Sequence, residues 1–138
     1  MRSRISLLLV TLCCFFACAI PALAHHSFSA EFDSNKTVTV TGVLTRVDWT
    51  NPHTYYYVDG KDKDGATVSW EIESMPPGML HRAGVSKEMF KIGQVVSIDG
   101  WAAKDGSRRL AFAKTFHFAD GTTIKTMNDA IGAPPDNK

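Results

Sequence analysis

Thr37-Val38-Thr39-Val40-Thr41-Gly42-Val43-Leu44-Thr45-Arg46-Val47-Asp48-Trp49 reads as one long β-strand. β-branched side chains crowd a helical turn but fit a pleated surface, and their alternation with polar residues has the two-residue period of a half-buried strand. Val38 and Val40 fall on one face while Val43 and Val47 fall on the other. A bend or bulge is therefore expected at Gly42.

Downstream, Thr50-Asn51-Pro52 breaks the run, and a second strand is expected over 53–59, with Tyr55 and Tyr57 on one side and Tyr56 and Val58 on the other. Asp62-Lys63-Asp64-Gly65 is a turn into a third strand that puts Val68, Trp70 and Ile72 inside and Ser69, Glu71 and Glu73 outside. Pro76-Pro77-Gly78 stops the sheet, and a short helix over 79–84 closes at Gly84. Ser86 can cap a further turn through Phe90. Val95 to Trp101 is the fourth strand, and Arg108 to Phe118 the fifth, with Leu110, Phe112, Phe116 and Phe118 on one face. Three strands, a short helical connection and two more strands is the order of a five-stranded OB barrel, whose closure hides its edges. The expected fold is all-β with a short helical connection, an OB-like barrel over 37–121; a small open sandwich is the alternative. From 122 to 138 the pattern fades toward Pro134-Pro135, as in a flexible tail.

Upstream, 25–36 lacks alternation and reads as an arm that Phe28 and Phe32 can pin to the body. Before it stand Arg2 and Arg4, an apolar run from Ile5 to Ile20, and Ala22-Leu23-Ala24, the three parts of a signal peptide ending at residue 24. The run is short for a membrane span of roughly 20 residues and has no charged stop, so no membrane attachment is expected after cleavage. Cys13, Cys14 and Cys18 all lie in this leader, leaving the remainder without a thiol for a disulfide, a zinc knuckle or a nucleophile. The 114 residues from His25 suffice for one hydrophobic core. Their 13 basic and 14 acidic side chains give a formal charge of −1, which argues against binding a nucleic-acid backbone.

Cleavage before His25 places an α-amine, with a reference pKa of about 8, and an imidazole, with one of about 6.5, on a single residue. Both nitrogens can bind a late transition metal near neutral pH, and His26 adds a competing mode through amine, amide and imidazole. Such a set favours Cu(II). Because Ser27, not histidine, occupies the third position, a ligand from the body is required. His53 in Asn51-Pro52-His53, on the barrel rim, is the first choice, ahead of His117 on the last strand and His81 on the helix. The expectation is a non-enzymatic module that binds a small ligand, with Cu(II) held by His25, His26 and His53. The plain alternative is a solvated dihistidine tail with His53 as a turn residue.

A different function class rests on Trp49, Tyr55 and Tyr57, which could form an aromatic patch for a glycan or an exported partner protein. Catalysis is not expected. Glu71 and Glu73 share a strand face, but such carboxylates are usually solvated or ion-paired. Ser27 beside His26 lacks the rigid third group that a nucleophile and base need.

His25-His26-Ser27-Phe28 with Glu31-Phe32-Asp33, Trp49-Thr50-Asn51-Pro52-His53, and Gly100 followed by Ala103-Lys104-Asp105-Gly106-Ser107 together resemble a family of small exported proteobacterial proteins classed as a domain of unknown function. The resemblance runs from His25 to about Gly121 and implies a periplasmic location and an OB-like body. It carries no activity, ligand or site residue. Val85 departs from the pattern, where tryptophan often stands, which bears only on local packing.

Overall fold

The computed structural model describes residues 28–62 and 64–127. A helical turn, α1 (Phe28–Glu31), leads into β1 (Phe32–Asp48), β2 (Tyr55–Lys61) and β3 (Thr67–Glu73). Helix α2 (Pro77–Arg82) and a 3-10 turn (Lys87–Met89) connect to β4 (Val95–Ala103), β5 (Leu110–Phe118) and the short β6 (Thr123–Lys125). β1 pairs antiparallel with β4 through its first half and with β2 through its second. A parallel seam joins β3 to β5, setting Glu71 opposite Leu110, Ile72 opposite Ala111 and Glu73 opposite Phe112. The seam closes five strands into a ring, β1-β2-β3-β5-β4. With α2 between the third and fourth strands, this is the expected OB-like arrangement.

β1 serves two partners because it coils, and Gly42 stands at the changeover, opposite Gly60 of β2 and Val96 of β4. A Cβ on Gly42 would lie 2.3 Å from the Asp59 carbonyl oxygen, so the two backbones touch as only glycine permits. The bulge expected at Gly42 lies instead between Leu44 and Arg46. Val40 and Leu44 consequently point inward and Val43 outward, while Val47, beyond the bulge, packs on the core. The strand also begins at Phe32, which already pairs with Ala103, so part of the expected arm is sheet.

Inside the ring, Leu44, Tyr56, Val58, Ile72, Ile98 and Phe116 are at most 2 % exposed. Phe90, delivered by the 3-10 turn, packs among the rings, 4.7 Å from Tyr56 and 5.0 Å from Phe116 between centroids. Val85 is buried in the same core. Tyr56 and Val58 face in while Tyr55 and Tyr57 are partly exposed, as their alternation requires. The four apolar residues of β5 do not share a face. Asp99 and Gly100 oppose Thr115 and Ala113, so Lys114 is an extra residue in the ladder and inverts the alternation. Phe116 and Phe118 join the barrel core, whereas Leu110 and Phe112 enter a second cluster with Phe32 and Trp101.

The expected flexible tail also needs correction at its start. β6 pairs with β5, and the buried Thr126 donates its hydroxyl to the carbonyls of Ala113 at 3.2 Å and Lys114 at 3.3 Å. The remainder of that tail, and the leader with His25, His26 and Ser27, lie outside the described residues.

Within the core the Tyr56 hydroxyl has no hydrogen-bond partner among the described residues, and burial raises its pKa. A buried hydroxyl without a partner gives back none of its desolvation cost. Tyr56→Phe is expected to leave the unfolding free energy unchanged or raise it by about 1 kcal/mol in urea denaturation. A clear loss of stability would contradict this account of the hydroxyl.

Candidate functional site

The second aromatic cluster anchors the start of the described chain to the outside of the barrel. The Phe28 ring lies 5.1 Å from Trp101, 5.3 Å from Phe112 and 5.5 Å from Phe32. Aromatic pairs at this spacing contribute about 1 kcal/mol each beyond their buried area. Polar contacts complete a latch to the β4–β5 hairpin. Lys104 donates through Nζ to the Ser29 carbonyl at 2.6 Å and through its backbone N–H to the Glu31 carbonyl at 2.8 Å. Arg108 pairs with the Glu31 carboxylate at 2.8 Å.

Beside this latch lies Glu73. It is the strand partner of Phe112, and alternation about the inward Ile72 and Ala111 puts both side chains on the outer face. An outward glutamate is expected to be solvated or ion-paired; this one is 5 % exposed and pairs with His53, and it lies beside Phe112, on which Phe28 of α1 docks. A buried carboxylate must be partnered. His53 Nδ1 bonds to Oε1, and the Tyr55 hydroxyl donates to Oε2 at 3.3 Å. Burial raises the pKa of Glu73, and the contact with His53 opposes that rise. Tyr55 is pushed up to about 12, first by burial and then by the charge of Glu73.

His53 itself is partly open to solvent, in the β1–β2 connection that contains the cis Asn51–Pro52 peptide. With Glu73 ionised, the proton of neutral His53 sits on Nδ1 and the lone pair on Nε2. Nε2 makes no hydrogen bond with any described residue. The arrangement therefore offers an oriented imidazole nitrogen, available to a metal ion or to a donor on a ligand.

The other candidates lie elsewhere. His117 is exposed on β5 and bonds Asp99 at 2.9 Å; Asp99, also bound by Thr39, is held below the usual aspartate range by these contacts. His81 is exposed on α2. Trp49 packs against Phe90, with ring centroids 6.2 Å apart, and has no ring contact with Tyr55 or Tyr57. Tyr57 lies beneath the Arg46 guanidinium at 3.7 Å. Among the described residues no three His, Cys, Asp or Glu side chains converge on one point. Sequence reasoning weighed Glu73 only as half of a pair with Glu71; the parallel seam that puts Phe112 beside it leaves no local signal.

The chain is thus an all-β, OB-like barrel with a histidine backed by a buried carboxylate on its outer face. It belongs to a family of unknown function (DUF6152), whose model matches residues 14–111 and takes in the motifs from His25 to Ser107. Comparison with curated proteins gives no match.

Proposed function

We propose that this protein is an exported, periplasmic, non-enzymatic ligand-binding module that holds Cu(II) through His25, His26 and His53. The observation carrying this reading is the contact of buried Glu73 with His53 Nδ1, because a carboxylate behind the ring is how metal-binding histidines are oriented and made more basic. The latch supplies the second element. Phe28 docks against the strand partner of Glu73, and each residue of chain spans at most about 3.5 Å, so His26 and His25 are tethered within roughly 7 and 11 Å of the Phe28 backbone. An α-amine and imidazole nitrogens form a donor set that suits Cu(II) better than a hard cation.

Calorimetric titration of Cu(II) into protein beginning at His25, into a form carrying one extra amino-terminal residue, and into His53→Ala tests the reading. Each alteration is expected to weaken binding at least tenfold. Equal affinity in the extended form rejects the terminal-amine ligand, and equal affinity in His53→Ala rejects the body ligand. An intact mass of the exported protein that places its first residue elsewhere also removes the terminal-amine ligand.

A further inference from the structure

A second site stands apart from the histidines and does not depend on the copper reading. Arg109 ends the β4–β5 connection, where its carbonyl accepts the Glu71 N–H at 2.9 Å and fixes it at the parallel seam. Its guanidinium lies 5.9 Å from the centre of the Trp70 ring and makes no ion pair with any described residue. Arg46 and Arg108, by contrast, are neutralised by Asp48 and Glu31. An open hollow lies on each side of this free cation. One, of about 480 Å³, opens toward Thr39, Thr41 and Lys61, and the other, of about 350 Å³, toward Tyr57, Ser69 and Glu71; Trp70 and Arg109 line both. Each is within the range of small-ligand sites.

We infer that this Trp70–Arg109 seam is a binding site for a carboxylate-bearing oligosaccharide. The planar guanidinium fork matches a carboxylate, and its position over an aromatic ring leaves its donors free to make that match. Trp70, partly buried against the core, lines both hollows and Tyr57 lines one, giving aromatic surface for the apolar side of a sugar, while Glu71, Asp62 and Asp64 carry oxygens able to accept hydrogen bonds from its hydroxyls. Those same acids repel a ligand charged at every unit. A nucleic-acid strand, which needs a cation for each phosphate it neutralises, is therefore disfavoured, whereas a chain with sparse carboxylates fits. Placement agrees as well, since strands two and three and the loop between strands four and five carry the ligands of OB barrels.

Titration of the purified protein with sialyllactose, a trisaccharide carrying a single carboxylate, followed by calorimetry and by the Trp70 indole signal in 1H–15N spectra, tests the site. Saturable binding that shifts this signal is expected, with at least a tenfold weakening in Arg109→Gln at an unchanged unfolding midpoint. Tyr57→Ala should weaken it too, and neutral maltotriose should bind at least tenfold less well. Equal sialyllactose affinity in Arg109→Gln, or equal affinity for maltotriose, overturns the proposal. Tighter binding of oligothymidylate or of a glutamate-rich peptide also overturns it, in favour of a nucleic acid or an acidic protein partner.

Discussion

Gly100→Ala is expected to cost more than about 4 kcal/mol or to prevent folding altogether, a loss at the exceptional end for one substitution. Gly100 sits in β4, paired with Val38 on one side and Ala113 on the other, at the point where Lys114 bulges out of β5. A Cβ there would stand 2.2 Å from the Phe112 carbonyl oxygen and 3.1 Å from its carbon. Overpacking usually costs about 1–3 kcal/mol because side chains can yield; here the obstacle is backbone held in two ladders. Gly65→Ala provides the contrast. Gly65 has a φ of +81° in an open turn, and a methyl group there would meet no atom within 4 Å. Only the cost of a left-handed alanine, about 1 kcal/mol, then applies. Urea denaturation of both variants decides the matter, and a Gly100→Ala protein as stable as the Gly65→Ala protein contradicts the close approach of β4 and β5.

In metal-free protein, His53→Ala is expected to lose about 3 kcal/mol at pH 7 and much less at pH 4. Glu73 has its pKa raised in the folded state by burial, with His53 holding the rise in check. Over the window from the unfolded value of about 4.3 up to the raised value, the native state binds more protons than the unfolded one, so stability falls as pH rises. Removing His53 takes away the partner that opposes the rise, which widens that window and deepens the fall. Below it Glu73 is protonated in both states, and the missing partner matters less. Glu73→Gln added to His53→Ala should recover most of the loss at pH 7, because no charge then remains to be buried. A loss of the same size at both pH values, or no recovery in the double variant, contradicts this role for the pair.

The parts of the fold that were legible follow from uniform alternation. Tyr55 and Tyr57 against Tyr56 and Val58 behave as a period of two requires, and the order of strands with an interposed helix leads to the ring. Wherever one residue is added to a ladder, at Thr45 in β1 or Lys114 in β5, alternation read across it assigns the wrong face, as it did for Leu110 and Phe112. Nothing in their own neighbourhoods marks these insertions, because a bulge is specified by the partner strand. The site divides in the same way. His53 was legible from its place beside Asn51 and Pro52, but Glu73 looks like an ordinary outward glutamate until Phe28, forty-five positions earlier, is folded over that end of the barrel. Arg109 and Trp70 were equally silent, since their meeting depends on the parallel seam.

The latch formed by Phe28, Lys104 and Arg108 bears on how the protein is handled in the laboratory. Whatever is fused ahead of residue 28 is tethered to Phe112, the strand partner of the buried Glu73, so a bulky purification handle placed there would crowd the latch and the face it covers. Handles and reporter dyes belong at the opposite terminus.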